Sequence, residues 1–323
     1  MTKPMLEFRD VTKRFEKPLD AIERIAGRLG AAVAGHTVHA VDRVSFTVHQ
    51  GEVVGLVGES GCGKSTLGRL ACGLHAPTEG GVFYQDIAVN GTPVRAVQMI
   101  FQDPHSSLNP RMRVEDIVGE APRVHRLVPA AEVPDYVAQL LRRVGLDPSY
   151  RRRYPHQFSG GQRARIGIAR ALAVKPDFLV CDEAVAALDV SIQAQVLNLF
   201  MDLRESLGLT YLFISHDLGV VSHLSNRVVV MYLGRVVESA PTAELFAKPN
   251  HPYTQALLAE VPRLDRKNRS FAPIKGEIPS PLAPPPGCHF HPRCPHAMPR
   301  CAQEAPVLRQ VAPGRVSACH LDA

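Results

Sequence analysis

Three short runs in this 323-residue chain carry residue types spaced for phosphate chemistry. The first, Gly58-Glu59-Ser60-Gly61-Cys62-Gly63-Lys64-Ser65, followed by Thr66, fits the spacing G-x-x-x-x-G-K-[ST]. It follows the apolar run Glu52–Val57 directly and precedes a helical stretch, which is the setting such a loop needs. Glycines there let backbone N–H groups curl around a β-phosphate, and the helix N-terminus behind adds partial positive charge. Lys64 then bridges β- and γ-phosphates, and the Ser65 hydroxyl becomes a ligand for Mg²⁺. The second run is Phe178-Leu179-Val180-Cys181-Asp182-Glu183. An apolar strand ending in Asp sets Asp182 beside the metal, and Glu183 is placed to polarise an attacking water. The third, Phe158-Ser159-Gly160-Gly161-Gln162-Arg163, opens a helix and forms a second anion-binding site from Ser159 and the glycine amides. A phosphate loop alone would leave kinase, GTPase, transporter and helicase open.

The third run resembles the Leu-Ser-Gly-Gly-Gln signature of the nucleotide-binding subunits of ABC transporters. In such proteins the signature of one protomer closes over ATP held by another, which would occupy both glycine-rich sites of this chain. The resemblance extends to Phe101-Gln102-Asp103-Pro104, where Gln102 is implied to sense the γ-phosphate and Mg²⁺. It also covers Leu188-Asp189, a D-loop at the dimer seam, and Ile214-Ser215-His216-Asp217, with His216 on the γ-phosphate. Phe15 is implied as the aromatic that stacks on adenine. Longer stretches are similar to dipeptide and oligopeptide importer ATPases: Tyr154–Gln162, Leu188–Leu197, Tyr211–Leu218, His251–Leu258 and Cys288–Pro295. Val185 and Ser191-Ile192-Gln193 are worded like the second of the two ATPases such importers carry. That family implies ATP and Mg²⁺ as cofactors and a different second ATPase subunit. It also implies two transmembrane permease subunits, an extracytoplasmic substrate-binding protein and a peripheral place on the cytoplasmic face of the membrane. Peptides are the implied cargo; nickel or glutathione importers and a soluble, non-transport ABC ATPase are the alternatives. Repair ATPases of that last kind carry a long coiled coil between Lys64 and Asp182, and none is expected here.

The chain departs from the family at three places. Ala184 and Ala186 stand where the family has Pro and Ser in Asp-Glu-Pro-Val-Ser-Ala-Leu-Asp. The segment Gly80–Val97 is shorter than usual, and residues 16–38 are longer. None of these changes removes a phosphate, metal or water-activating group.

Elements that could position these residues are legible in the hydrophobic pattern. Strands are expected at 43–48, 52–57, 97–101, 178–181, 211–214 and 228–232, with helical stretches between several of them. Ser191–Leu207 is the best helix, apolar at Ile192, Val196, Leu199, Leu203 and Leu207 behind an Asp189 or Ser191 cap. Buried strands alternating with helices predict an α/β fold with a largely parallel sheet, and the resemblance makes it a P-loop ABC cassette with a RecA-like core. Residues 1–240 are expected to form the nucleotide-binding domain, with an Arg-rich helical subdomain at about 105–174. Residues 241–323 read as an appended extension.

Composition sets the outer bounds. Apolar residues make up 45% and charged residues 21%, enough for a sizeable core and contrary to global disorder. No apolar run approaches the roughly 18 residues that span a bilayer, and Met1–Glu7 lacks a signal peptide, so a soluble intracellular chain is expected. A net charge of +6 is read as a solvated, Arg-rich surface rather than a nucleic-acid footprint. Four of the seven cysteines, Cys288, Cys294, Cys301 and Cys319, fall in the last 36 residues, and eleven of 27 prolines fall after position 271. Such a coreless segment suits a module held by metal ligation rather than by disulfides. Four thiolates fit an iron–sulfur cluster and nearby histidines make zinc the alternative. Similar tails of peptide-importer ATPases imply a [4Fe-4S] centre.

Overall fold

A computed structural model describes residues 3–16, 37–103, 107–260 and 276–322. Residues 17–36, the bulk of the expected long segment, and Pro104 of the Gln102 loop lie outside the described residues.

Two sheets form the frame. The smaller is antiparallel, with β1 (Pro4–Glu16), β2 (Thr37–His49), β4 (Glu79–Tyr84) and β5 (Ile87–Ala88) in the order β2-β1-β4-β5. Its strands alternate: Leu6 and Phe8 are buried while Arg9 faces outward, and Phe8 stacks on Phe46 at 4.6 Å. The larger sheet, which includes β10 (Arg235–Pro241), β11 (Arg309–Ala312) and β12 (Arg315–Ser317), has the order β11-β12-β10-β9-β3-β8-β7-β6. Its parallel centre is β9 (Arg227–Tyr232), β3 (Val53–Val57), β8 (Thr210–Ile214), β7 (Phe178–Asp182) and β6 (Val97–Ile100). Every residue of β3, β7 and β8 is buried, as continuous apolar runs covered on both faces require.

One face of this sheet packs against the smaller sheet and helix α1 (Lys64–Ala71) through Leu6, Phe8, Leu56, Leu67, Leu70 and Met231. The other face carries α2 (Val114–Val124), α3 (Val133–Arg143), α4 (Gly160–Leu172) and α5 (Val190–Leu207). Helix α5 buries Val196, Leu199 and Leu203 and stops at Gly208, whose φ of 64° closes the turn. Asp189 occupies its cap position, but its side chain makes no capping bond.

The extension differs from the expectation of a module without a hydrophobic hold. Strands β11 (Arg309–Ala312) and β12 (Arg315–Ser317) lengthen the main sheet, with β12 pairing on β10 (Arg235–Pro241) at Glu238↔Ser317. Helices α6 (Leu218–Leu224) and α7 (Thr242–Ala247) precede α8 (Pro252–Ala259). Phe290 is 1% exposed and packs on Tyr232 of β9 and on Tyr253 of α8, with ring centroids 5.2 and 5.3 Å away. Burying one such ring contributes roughly 1.5–3 kcal/mol. The tail needs few apolar residues of its own because β9 and α8 supply the receiving surface.

Candidate active site

The loop between β3 and α1 is shaped by its glycines. Gly63 has φ 105°, and a Cβ there would lie 2.1 Å from the Ala40 carbonyl oxygen. Only glycine lets β2 approach this closely. Lys64 starts α1 and is 5% exposed; its Nζ donates to the carbonyls of Gly58 at 2.7 Å and Glu59 at 3.0 Å. The loop's own carbonyls thus hold the ammonium at the base of the loop.

Behind Lys64, the Ser65 hydroxyl donates to Asp182 Oδ1 at 2.9 Å. Asp182 ends β7 and is 3% exposed. Burial, with the neighbouring Glu183 charge, pushes its carboxyl above the ordinary range against the opposing Ser65 hydroxyl, Arg69 and Lys64. A buried carboxylate facing a hydroxyl is a ready hard-cation ligand pair. Glu183 follows with φ 48°, its N–H bonded to the Ile214 carbonyl, so the strand end turns and presents the side chain sideways. Its Oε2 accepts from Gln102 Nε2 at 2.6 Å, and its Oε1 lies 3.4 Å from His216 Nδ1. Gln102 follows β6 and His216 follows β8, so three neighbouring strand ends deliver one cluster. This is the carboxyl edge of a parallel sheet, where α/β proteins bind ligands.

Ser60, Gly61, Gly63, Lys64, Ser65 and Thr66 line a cleft of about 520 Å³ together with Gln102, Glu183 and His216. Phe15, Val38 and Ala40 of the small sheet form its opposite wall, with Pro281 of the extension. Phe15 is 37% exposed and meets His75 edge-on at 5.4 Å. Gly58, Glu59 and Cys62 are not among the lining residues, although sequence placed them in the same loop. Cys62 is buried, and Glu59 is turned toward the extension.

Ser159, Gly160, Gly161, Gln162 and Asp189 also lie away from this cleft. Ser159 and Gln162 cap α4 reciprocally, Ser159 N–H to Gln162 Oε1 at 3.0 Å and Gln162 N–H to Ser159 Oγ at 3.3 Å. The structure therefore gathers the phosphate loop, Gln102, Asp182, Glu183 and His216, and sets the signature run on another surface. Pro281, Tyr253 and Arg293 received no role from sequence; the latter two sit in His-Pro-Tyr and His-Pro-Arg, whose repetition is the one available signal.

The extension's cysteines stand differently from the expectation of a metal centre. Among the described residues no three His, Cys, Asp or Glu groups are arranged to hold a metal ion. Burial raises the thiols of Cys288 and Cys294, and pushes Cys319 up to about 11. Each of these three also feels others of the set: Cys288 feels Cys301 and Cys294, Cys294 feels Cys301, and Cys319 feels Cys288 and Cys294.

The sequence profile of the ABC transporter family matches residues 41–186, and that of the oligopeptide/dipeptide transporter C-terminal region matches residues 237–301. The oligopeptide transport ATP-binding protein AppF of Bacillus subtilis is 49% identical over 328 residues, covering 98% of this chain and 97% of the relative. This chain belongs to the peptide-transporter branch of the ABC ATP-binding subunits. A putative peptide import ATP-binding protein of Brucella ovis is 48% identical, covering 95% of this chain and 99% of its own. Among solved structures, cbiO1 from Clostridium perfringens, part of the ABC transporter complex cbiONQ, superposes with a TM-score of 0.62 at 25% identity. That match covers 76% of this chain and 91% of cbiO1. The ABC subunit is an ATPase, and the fold is the ABC cassette. No described helix is long and apolar enough to cross a membrane.

Proposed function

We propose that the chain powers peptide import by hydrolysing ATP at the cleft between its two sheets. The observation that carries this reading is the convergence of Lys64 and Ser65 with Gln102, Glu183 and His216 in one cavity. Lys64 leaves the Gly58 and Glu59 carbonyls for the β- and γ-phosphates, while loop amides and the α1 N-terminus take the remaining charge. Ser65, Asp182 and Gln102 are the groups that would hold Mg²⁺, which would supply neutralisation of the phosphate charge. Glu183, oriented by Gln102, accepts the proton of the attacking water, and His216 stands beside it toward the γ-phosphate. Phe15 flanks the adenine. Replacing Glu183 by Gln keeps the shape and removes the base, so hydrolysis falls by about 10²–10⁴-fold with ATP still bound. Hydrolysis at the parent rate would remove Glu183 from this role.

Ser159–Gln162 and Asp189 serve the cleft of a second cassette in a head-to-tail dimer. We assign that cassette to a different chain, with Ala186 making the two ATP sites unequal. Intact-mass analysis of the complex with its two permease subunits tests this; two copies of the present chain and no other ATPase would reject it. An extracytoplasmic binding protein delivers the peptide, and this subunit sits at the cytoplasmic membrane face. Residues 1–240 form the cassette, with the helices within 105–174 facing the permease, and residues 241–323 form the extension. The ABC transporter profile lies wholly within the first span, and the C-terminal-region profile begins at 237, three residues before its end.

Cys288, Cys294, Cys301 and Cys319 are assigned to an iron–sulfur centre, with zinc as the alternative. The clustering of all four in the last 36 residues supports a shared site. A single tetrahedral zinc needs thiolates about 4 Å apart, from Zn–S bonds of about 2.3 Å. Among the described residues no such set is preformed, so on this reading either centre forms only as the tail closes on its metal. Iron, sulfide and zinc analysis of anaerobically purified protein decides between them. Stoichiometric zinc would reject the cluster, and metal-free protein with four free thiols would reject both.

A further inference from the structure

Glu59 belongs to the phosphate loop, yet it is held from the far side by the C-terminal extension. Its two carboxylate oxygens accept from Arg293 Nη1 at 2.7 Å and Nη2 at 2.9 Å. Its backbone N–H donates to the Tyr253 hydroxyl at 2.9 Å. The Arg293 side chain is only 5% exposed, and Nη1 also reaches the Tyr232 hydroxyl at 3.3 Å. Tyr232, Tyr253 and Phe290 pack around this grip, so it is fixed by the same aromatic cluster that docks the tail. A second contact reaches the opposite rim. Pro281 lines the cleft, and its carbonyl accepts the His39 N–H at 2.9 Å, on the strand that carries Val38 and Ala40.

A carboxylate within an anion-binding loop is a liability. The loop works by aiming backbone N–H groups and Lys64 at phosphate. A Glu59 side chain free to rotate would offer those donors an internal anion in competition with the nucleotide. Two charge-assisted bonds to a planar guanidinium neutralise the carboxylate and fix its direction outward. The Tyr253 bond fixes the peptide on which the side chain is carried.

We propose that Arg293 is a positioning residue for nucleotide binding, acting through Glu59 to keep that carboxylate out of the phosphate loop. The extension, not the cassette alone, then sets the affinity for nucleoside di- and triphosphates. This rests on the reading of residues 58–66 as the phosphate loop.

Calorimetric titration of MgADP into the full chain, alongside thermal unfolding, tests it. Arg293→Met should raise the Kd about tenfold, and in a Glu59→Ala background it should change the Kd by less than twofold. Arg315→Met removes a different anchor of the tail, the bonds from β12 to Lys248 and Glu238, and should lower the unfolding temperature while leaving the Kd within twofold. If Arg293→Met does not fold, Arg293→Lys enters the same cycle, with a rise of about threefold beside Glu59 and none beside Ala. The proposal is overturned if Arg293 variants bind as the parent does, or weaken binding equally without Glu59. It is likewise overturned if Arg315→Met weakens binding as much. Lys64→Ala separates the underlying reading: unchanged binding in that variant would mean that the loop assignment itself has failed.

Discussion

Replacing Asp182 by Asn should stabilise the nucleotide-free protein while disabling its magnesium-dependent chemistry. The carboxylate ends a fully buried strand and has one hydroxyl, Ser65 Oγ, as its bonded partner at 2.9 Å. Its raised carboxyl pKa, caused first by burial, means that the folded state holds this proton more tightly than the unfolded chain does. Stability from this group is therefore greatest at low pH and falls as the pH rises through the folded value. Wherever it is ionised in the folded state, the side chain is a net cost. Asn keeps an Oδ1 acceptor for Ser65 and removes the charge. Replacing a buried ion pair by apolar groups is neutral or returns up to about 4 kcal/mol. Taking about 2 kcal/mol for this single buried charge, the new amide donors, at about 1 kcal/mol if they find no acceptor, offset half of it. A net gain of about 1 kcal/mol remains, or about 2 °C in a chain of this size.

The assay is thermal unfolding in EDTA and then in saturating MgADP. In EDTA the variant should unfold about 2 °C above the parent, with the difference shrinking as the pH is lowered toward the carboxyl's folded pKa. MgADP at a hundred times its Kd adds about 2.7 kcal/mol to whichever protein binds it. The parent should gain this and the variant should not, which reverses the order. If the variant is the less stable protein in EDTA, Asp182 is a structural asset and its burial is not kept for a cation. Equal stabilisation of both proteins by MgADP would refute the magnesium assignment.

Other perturbations follow from single observations. Gly63→Ala should weaken MgADP binding at least tenfold, because the new Cβ meets the Ala40 carbonyl oxygen at 2.1 Å in a left-handed backbone that costs about 1–3 kcal/mol. Gln102→Ala frees the Glu183 carboxylate from its 2.6 Å bond and removes one of the groups assigned to Mg²⁺; it should lower kcat about tenfold and weaken MgADP binding as well, as read by steady-state kinetics and calorimetry. Burial lowers the His251 pKa to about 4, so its contribution is complete above about pH 6.5 and is lost as the pH falls. Between pH 6.5 and 5 the loss should reach about 2 kcal/mol in denaturant titrations, and His251→Asn, which keeps an acceptor for the Tyr253 N–H now bonded at 3.0 Å, should flatten it.

What was legible in the sequence is what lies contiguous along the chain. Val53–Val57 and Phe178–Asp182 are all apolar up to their last residue, so strand, buried position and site-facing end could be read together. Lys64, Ser65, Asp182 and Glu183 followed from those strand ends, and Gln102 and His216 were carried by the resemblance. The long reach was illegible. Arg293 meets Glu59 from 234 residues away, and no local pattern marks a guanidinium destined for a phosphate loop. The tail's docking was missed for a related reason. A Pro-rich segment shows no periodicity, and one aromatic, Phe290, suffices when the receiving surface is built elsewhere. Glu59 shows the limit of motif reading from the other side: its position in the loop is right, and its side chain faces away.

The signature run gives the remaining step. Gly161 packs so close to α5 that a Cβ would lie 2.4 Å from Ile192 Cγ2, and Gly160 faces Leu188. The α4 N-terminus and the Asp189 turn therefore form one continuous surface. That surface exposes Ser159, Gly160, Ala186, Ala187 and Asp189, and beside them Val190 at 83% exposure. An exposed helix N-terminus with Ser and Gly amides is suited to an anion, and an exposed Val beside it is suited to burial against protein. The phosphate cleft, for its part, is open and lined by neither. Both requirements are met at once when the signature surface of one cassette covers the nucleotide mouth of another. In the head-to-tail pair proposed above, ATP would be part of the interface, and hydrolysis would remove the γ-phosphate that joins the two halves. On that proposal, closing and opening of the pair would be coupled to the chemistry of the cleft, and this is the motion that would be passed to the permease.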